Sequence, residues 1–450
     1  MIKIIRIKNR FIVVILTLFV FVGCDNNELA NTYEEKNIEK TKQIKVIEED
    51  KENINEITTN AVTTVVENKD NKTSSVTIGA VGDIMYHYQQ LKRGYNTQED
   101  SFDFGESFEQ VSKYISDFDI ALGNLETTLS GKDNSIRLEN SNYFNGYQGY
   151  PCFNTPEVLA DNLKDAGFDL LTTANNHSMD SWTGGISDTL DQLDRVGIKH
   201  VGTYRTEEES QKYLIEEVNG IKIGYLSYTY GTNGINPPID KKYLVNSLEM
   251  YNEEKMEQMY RQVKEMNEME IDVLTVFIHF GTEYQNLPSK KQTDIVNNLF
   301  EYGADIVLGS HPHVLQPIEI RKVEINGESY IDKVAIYSLG NFISSQRYTS
   351  NEPINKDVGM ILGIEVEKDI EENTYIKEIK ILPTWVQWTN KEMRVVPVDG
   401  AIIDYENNNL LKLTEKDYKR LKTVKKSAMN HLMVLDKSEV TKKNQFYYID

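Results

Sequence analysis

Short apolar runs recur along the chain, and polar residues follow each of them closely. This pattern is typical of buried strands that stop at the edge of a sheet. The predicted strands of this kind are Val76–Val81, Ile120–Leu122, Asp169–Thr173, Val273–Ile278 and Ile306–Leu308. After the last of them, Gly309 is expected to let the backbone turn without a clash from a Cβ atom.

Segments with apolar residues three and four positions apart separate these strands and predict helices. Thr155 and Pro156 are expected to cap and open the first helix, and Gly167 is expected to end it. Further helices are predicted before Gly197, over residues 247–269 and before Gly303. Strands that alternate with helices in this way indicate an α/β fold.

The chain beyond His313 is richer in β structure, and one hairpin is predicted before it. Asn219 and Gly220 join two apolar runs and are the residues that a type I′ hairpin turn prefers. Later strands are predicted at Ile318–Val323, Tyr330–Tyr337, Met360–Val366 and Tyr375–Leu382. Residues beyond about 400 are polar, and Thr414–Leu435 is predicted to form one surface helix.

Residues 1–24 have the pattern of a signal peptide. Basic residues precede the apolar run Phe11–Val22, which is too short to span a bilayer comfortably. The run ends in Phe21-Val-Gly-Cys24, which resembles the cleavage box of bacterial lipoproteins, so Cys24 is the expected site of lipidation. An ordinary secretory signal and an uncleaved anchor are the alternatives. All three place the rest of the chain outside the cytoplasmic membrane.

Residues 25–75 are rich in Asn, Glu, Lys and Thr and are expected to form a disordered polar linker. The 450 residues carry a formal net charge of -21. This charge argues against nucleic acid as a partner, because phosphate binding needs a basic face. With Cys24 lipidated, Cys152 has no partner for a disulfide and is expected to be a small buried residue.

Several predicted strand ends carry side chains that bind metal ions. They are Asp83 with His87 nearby, Asn124 or Glu126, Asn176 with His177, His279, and His311 with His313. Because the carboxyl ends of strands form one edge of a sheet, these side chains are expected to meet there. Five of the 7 histidines fall in these loops, which favours a metal site over unrelated turn residues. His200 and His431 lie outside the pattern.

The expected ligands are carboxylates, amides and imidazoles without a thiolate. This set suits a borderline or hard divalent ion such as Mn, Zn or Fe, and two ions close together would share a bridging carboxylate. A bound ion lowers the pKa of water to about 7. His177 would then be free to act as a general acid.

Six segments also carry a family resemblance: Ala80–Met85, Gly123–Thr127, Thr173–His177 with Asp180, His279–Tyr284, Gly309–Pro317 and Tyr337–Phe342. They resemble the bacterial capsule-synthesis CapA family of poly-γ-glutamate synthesis, in its lipoprotein form, which is similar in fold to calcineurin-like metallophosphoesterases. The resemblance implies a four-layer αββα sandwich over residues 76–396 with a dinuclear site at its strand ends. A C-terminal extension over residues 397–450 is expected to be helical.

The resemblance further implies roles for single residues. The implied metal ligands are Asp83, Asn124, Glu126, Asn176, His279, His311 and His313, and the implied catalytic residues are His177 and Asp180. In the first motif of the superfamily one residue separates Asp from His, whereas three residues separate Asp83 from His87. The role of His87 as a ligand therefore stays open.

Two functions remain open at this point. The first is a surface-anchored, metal-dependent hydrolase that acts on a phosphoester or on a γ-glutamyl amide of a cell-envelope polymer. The second is a non-catalytic accessory factor that helps to synthesise, export or anchor poly-γ-glutamate, with a capsule synthetase complex as partner. In both cases the protein is expected on the extracellular face of the cytoplasmic membrane, held by its N-terminal lipid.

Overall fold

A computed structural model describes residues 73–449 apart from residues 326 and 437. The predicted signal peptide, the lipidation site Cys24 and nearly all of the predicted linker lie outside the described residues. The first strand begins at Ser74, two residues before the predicted start of the folded domain. Within the described residues, no helix combines the length and the apolar character that crossing a membrane requires.

Strands account for much of the described chain, and they are numbered in chain order. Their bounds are β1 Ser74–Ile84, β2 Tyr95–Asn96, β3 Ser101–Phe102, β4 Ile120–Leu125, β5 Tyr143–Phe144, β6 Tyr147–Gln148, β7 Leu170–Thr172, β8 Lys199–Val201, β9 Leu214–Val218, β10 Ile221–Thr229, β11 Val273–His279, β12 Ile306–Ser310, β13 Leu315–Ile325, β14 Glu328–Leu339, β15 Asn341–Ile343, β16 Val358–Lys368, β17 Thr374–Trp388, β18 Met393–Pro397, β19 Val440–Lys443 and β20 Phe446–Ile449.

The helices lie between these strands. Their bounds are α1 Tyr88–Arg93, α2 Ser112–Ile115, α3 Val158–Asp165, α4 Trp182–Val196, α5 Glu207–Ser210, α6 Glu253–Asn267, α7 Lys290–Tyr302, α8 Val398–Asn407 and α9 Glu415–Leu432, with 3-10 helices at Gly105–Ser107 and Ile239–Leu244.

The large sheet consists of two blocks of parallel strands joined by antiparallel ones. Its order is β8-β7-β4-β1-β16-β17-β14-β12-β11-β10-β9. We call β8 through β17 in this order the first half-sheet, and β14 through β9 the second half-sheet. Where the halves meet, β14 and β17 pair at one position, Ile331 with Ile376. Each half-sheet therefore has its own parallel block, β8-β7-β4-β1 or β14-β12-β11-β10, whose carboxyl ends carry polar residues.

Three apolar cores separate the layers. The central core takes side chains from both half-sheets, such as Ile78 of β1 and Phe277 of β11. A second core packs α3 against the outer face of the first half-sheet, and a third packs α6 and α7 against the outer face of the second. The alternation of strand side chains between two faces produces this arrangement of helices, sheet, sheet and helices. The predicted α/β class is confirmed.

Most predicted elements are found close to their expected bounds. Asn219 and Gly220 have φ values of 54° and 78°, as the predicted type I′ turn requires. Gly197 and Gly303 end α4 and α7 in the left-handed conformation. The start of α3 was predicted wrongly, because the helix begins at Val158 rather than at Pro156.

Gly309 has a different role from the predicted one. It lies inside β12, so the chain turns only after Ser310. A Cβ atom at position 309 would come within 2.2 Å of the carbonyl oxygen of Tyr337 on the neighbouring strand β14. Gly309 is therefore needed for the close approach of two strands, and not for a turn.

The C-terminal region is only partly helical. The predicted surface helix corresponds to α9, whose N-cap Thr414 accepts a hydrogen bond from the backbone N–H of Asp417. Beyond it, β19 and β20 form a hairpin, and Ile449 of β20 pairs with Ile379 of β17. The exposed side chains of β19 give no amphipathic pattern, which explains why this hairpin was not predicted. Cys152 is a free, buried cysteine, as expected.

Candidate metal centre

The strand register brings the candidate residues to one edge of the sheet. Asp83 at the end of β1 is in register with Asn124 of β4 and with Asn341 of β15. On the second half-sheet, His279 at the end of β11 is in register with Ser310 of β12. The residues that meet in this buried cluster are Asp83, Asn124, Glu126, Asn176, His279, His311 and His313.

Glu126 occupies the middle of this cluster. Its Oε1 atom lies 3.5 Å from Nε2 of His279 and 3.9 Å from Nε2 of His313. Three groups of ligand atoms within 4.8 Å of one another can be recognised, and Glu126 belongs to two of them. The groups are Asp83 with Glu126 and His313, Glu126 with His279 and His311, and Glu283 with His311 and His313. One carboxylate therefore faces two neighbouring candidate cation positions.

The group around Asp83 is held by hydrogen bonds from both half-sheets. An Asp83 carboxylate oxygen lies 3.0 Å from Nδ1 of His313, and the other accepts a hydrogen bond of 2.9 Å from Nδ2 of Asn124. Burial alone would raise the pKa of Asp83, but the hydrogen bond and charge of His313 outweigh it and lower the pKa. Asp83 is therefore kept as a carboxylate, the form that binds a cation.

The group around His279 is equally fixed in orientation. Its Nδ1 atom lies 2.7 Å from Oγ of Ser310, and its Nε2 atom lies 3.0 Å from Oδ1 of Asn176. Burial lowers the pKa of His279 well below its ordinary value and that of His311 to about 3, and neighbouring histidines add to both shifts. Both imidazoles are therefore neutral, as metal ligands must be.

Two buried atoms of the cluster lack hydrogen-bond partners among the described residues. They are Oε1 of Glu126 and Nδ1 of His311. Burial and the charge of Asp83 raise the pKa of Glu126 well above its ordinary value. An unpaired buried polar atom is costly, and a divalent cation would satisfy the carboxylate and offset its repulsion with Asp83. The residues present therefore fit a metal ion.

His311 and His313 have left-handed backbone conformations, with φ values of 98° and 57°. Such values are uncommon for residues other than glycine and cost of order 1–3 kcal/mol each. The sequence allowed an extended or a turning segment here, and these φ values show that the backbone turns. The two imidazoles still converge, with ring centroids 6.0 Å apart.

His177 and Asp180 form a buried pair next to the cluster. Nδ1 of His177 lies 2.7 Å from Oδ2 of Asp180, which also accepts a hydrogen bond of 2.5 Å from the backbone N–H of Phe153. The ring of Phe153 packs edge-on against His177 with centroids 4.7 Å apart. Burial raises the pKa of Asp180, although the charge of His177 opposes the shift. This geometry fixes the orientation of the His177 ring.

His87 is half-buried beside the cluster and belongs to none of the three ligand groups found among the described residues. The backbone N–H of Ser345 lies 3.5 Å from its Nδ1 atom, and the ring of Phe153 packs edge-on against it. Burial and the neighbouring His313 lower the pKa of His87 to about 3. His87 thus lines the edge of the site as a neutral side chain.

Sequence reasoning missed several contributors to the site. From its position after His279, Glu283 is expected to bind substrate or to close a loop by hydrogen bonds, yet it lies within reach of His311 and His313. Asn175 donates a hydrogen bond of 3.1 Å to Oδ1 of Asn124. Tyr230 was not identified, although it directly follows β10 and the same strand-end rule would have found it.

Tyr230 lies between the histidines and a cavity. Its ring centroid is 4.6 Å from that of His311 and 6.4 Å from that of His279. The hydroxyl of Tyr230 donates a hydrogen bond of 3.2 Å to Oδ1 of Asn233. The cavity has a volume of about 650 Å³ and is lined by Tyr230, Asn233, Lys242 and Met250 among others. The candidate centre is therefore adjacent to space that can hold a ligand.

The fold and the strand-end cluster define an α/β protein with a candidate metal centre, and a family comparison specifies it further. Residues 77–346 match the family described as bacterial capsule synthesis protein PGA_cap. The match covers more than half of the chain and includes every residue of the cluster. The protein belongs to this family.

Two curated relatives come from bacilli. The capsule biosynthesis protein CapA of Bacillus anthracis is 28% identical over 283 residues, which are 62% of this chain and 62% of the relative. The PGA biosynthesis protein CapA of Bacillus subtilis (strain 168) is 28% identical over 281 residues, which are 60% of this chain and 63% of the relative. The chain thus spans less than two thirds of the length of each.

Solved structures with similarity to the chain include two bacterial proteins. A putative 5′-nucleotidase from Staphylococcus aureus is 13% identical with a TM-score of 0.37, covering 78% of this chain and 58% of its own. The calcineurin-like phosphoesterase YfkN from Bacillus subtilis is 14% identical with a TM-score of 0.34, covering 81% of this chain and 100% of its own. At these scores the likeness carries no conclusion about the reaction of this chain.

Proposed function

We propose that this protein is a metal-dependent hydrolase of a cell-envelope polymer. The observation that carries the proposal is the position of Glu126. Its unpaired, buried carboxylate oxygen faces histidines from two neighbouring ligand groups. A purely structural carboxylate would be expected to have a hydrogen-bond donor in such a place.

Two divalent cations would be held by the strand-end cluster. Asp83, Glu126 and His313 would hold one, and Glu126, His279 and His311 the other. Bound ions supply Lewis acidity and lower the pKa of water. Mn, Zn and Fe suit this set of carboxylate and imidazole ligands.

His177 would donate a proton to the leaving group. Asp180 orients the ring through Nδ1, so Nε2 is the atom left to face the reacting group. The edge-on ring of Phe153 restricts the ring further. This division of labour resembles other sites in which a buried carboxylate fixes the tautomer of a catalytic imidazole.

The substrate class follows from the family and from the names of its members. The two relatives are named for capsule and PGA biosynthesis, so the polymer proposed here carries phosphoester or γ-glutamyl amide bonds. We also propose that the protein is lipid-anchored at Cys24 on the extracellular face of the cytoplasmic membrane. There it would act beside a capsule synthetase complex.

The names of the two CapA relatives favour a second candidate function, because they refer to biosynthesis and not to hydrolysis. In this alternative the protein is an accessory factor that helps to synthesise, export or anchor poly-γ-glutamate without turnover. The ligand cluster would then hold cations for structure or for polymer binding.

Turnover by the metal-loaded protein separates the two candidates. The purified chain would be assayed with Mn, Zn or Fe on a generic phosphoester and on γ-glutamyl peptides. We expect hydrolysis that disappears in His313→Ala and persists in His200→Ala, because His200 contacts Asp194 away from the cluster. Metal binding without turnover on either substrate class would support the accessory function instead.

A further inference from the structure

Two arginines stack on a single tryptophan near the candidate centre. The Cζ atom of Arg347 lies 4.2 Å from the ring centroid of Trp388, and that of Arg93 lies 5.2 Å from it. Arg347 is exposed and Arg93 is half-buried. Burial and the positive charge of Arg347 lower the pKa of Arg93. The two like charges are thus held close together.

Neither arginine forms an ion pair with a carboxylate in the part of the chain that the structure describes. Arg93 donates hydrogen bonds to the carbonyl oxygens of Thr389 and Gln89 and to the amide oxygen of Gln89. By contrast, Arg195, Arg205 and Arg420 each pair with aspartate. In a chain with 70 acidic and 49 basic residues, two adjacent arginines without a carboxylate leave room for an external anion.

In sequence, each arginine comes a few positions after a residue that borders the candidate centre. Arg93 ends α1, which begins directly after His87, and a helix of this length rises roughly 9 Å. Arg347 follows Gln346, whose amide oxygen accepts a hydrogen bond of 3.1 Å from Asn341, a neighbour of His313. Nε2 of Gln346 in turn donates to the hydroxyl of Tyr284 at 3.4 Å. The arginine pair is therefore within reach of a chain-like ligand that enters the centre.

We propose that Arg93 and Arg347 form a binding subsite for a polyanionic chain with repeated carboxylate or phosphate groups, of which one unit reaches the metal centre. The proposal rests on the proposed function and names the charge of its substrate. A guanidinium group binds carboxylate or phosphate through two parallel hydrogen bonds. The contacts with the Trp388 ring keep both guanidinium groups near one position before the ligand arrives. The subsite also gives an acidic protein a local region that attracts an anionic polymer.

Polymer binding by the full purified chain tests this subsite. Poly-γ-glutamate and polyphosphate would each be titrated at low and at moderate salt against the wild type, Arg93→Ala/Arg347→Ala and Arg261→Ala. Arg261 is an exposed arginine on α6 and serves as the matched control. We expect the double variant to bind at least about tenfold more weakly, with a smaller salt dependence. Arg261→Ala should stay within twofold of the wild type.

The two polymers distinguish the sources of the anionic groups. A larger loss for poly-γ-glutamate assigns the subsite to carboxylates, and a larger loss for polyphosphate assigns it to phosphates. The single variant Arg347→Ala changes an exposed side chain and keeps the test valid if the double variant misfolds. Unchanged affinity for both polymers, or an equal loss in Arg261→Ala, would overturn the subsite.

Binding is measured here without turnover, so the two proposals fail separately. A protein that binds polymer through the two arginines but hydrolyses nothing would refute the hydrolase alone. Hydrolysis of small substrates, together with a polymer affinity that the arginine substitutions leave unchanged, would refute the subsite alone.

Discussion

Nδ1 of His313 lies 3.0 Å from a carboxylate oxygen of Asp83, although 230 positions separate the two residues in sequence. Asp83 belongs to the first half-sheet, and His313 follows β12 of the parallel block in the second. Both side chains are almost completely buried. The contact therefore forms only when the two half-sheets pack against each other, and Glu126 lies beside it within the same ligand group.

Replacing Glu126 with glutamine should weaken both cation positions. Glu126 is shared by two ligand groups, whereas Glu283 belongs to one. We expect Glu126→Gln to lower the affinity for both ions by more than about tenfold, and Glu283→Gln, which belongs to neither assigned cation position, to lower it less. Metal content after dialysis against a graded chelator would measure this. Retention of two ions by Glu126→Gln would contradict the shared position.

The carboxylate of Glu126 should make the stability of the metal-free protein depend on pH. Burial and the charge of Asp83 raise the folded-state pKa of Glu126 well above 4.5. Its contribution to stability is therefore present below pH 4.5 and is lost as the pH rises toward the folded-state pKa. Urea unfolding with a chelator should show Glu126→Gln becoming steadily more stable than the wild type as the pH rises above 4.5 toward the folded-state pKa of Glu126. The exposed variant Glu257→Gln should show no such trend.

Asp180 should affect turnover more than metal content. Asp180→Asn removes the negative charge beside Nδ1 of His177 and replaces one acceptor oxygen with an NH2 donor. We expect kcat to fall at least about 100-fold, while the bound metal and the unfolding temperature change little. In a profile of kcat against pH, the fall in rate that accompanies deprotonation of the general acid should disappear. A proportional loss of metal in this variant would assign Asp180 a structural role instead.

Tyr230 should hold the histidines through its ring rather than through its hydroxyl. Its ring is tilted against His311, and the hydroxyl contacts Asn233. Tyr230→Phe is expected to keep metal affinity within about twofold, because the ring contact remains. Tyr230→Ala should reduce it by more than about tenfold. Equal losses in both variants would show that the hydroxyl matters more than the ring.

Two glycines offer a matched test of strand packing. A Cβ atom at Gly309 would clash with the backbone of β14, whereas one at Gly184 in α4 meets nothing within 4 Å. Gly309→Ala should lower the free energy of unfolding by about 1–3 kcal/mol. Gly184→Ala should raise it by about 0.4–1 kcal/mol. Chemical denaturation of both variants measures the difference, and a stable Gly309→Ala would contradict the close strand approach.

Local periodicity predicted much of the fold because most strands and helices are amphipathic or fully apolar. The strand-end residues were also found from the sequence, since a sheet edge follows from strand polarity. A bridging carboxylate was expected from the sequence, but the contacts of Glu126 with histidines of two ligand groups could not be predicted, because they depend on how two half-sheets pack. The left-handed backbone of His311 and His313 was missed for a related reason, as tertiary contacts override the local preference.

The cluster is divided between two half-sheets, and this affects the stability of the protein and its resistance to proteases. Asp83 and Glu126 are contributed by one half and the three histidines by the other, and among the described residues β14 and β17 pair at one position. Cation affinity would then be part of the folding free energy. Scarcity of the ion would loosen the junction between the halves first and expose it to proteases. The supply of metal would set the lifetime of the molecule as well as its activity.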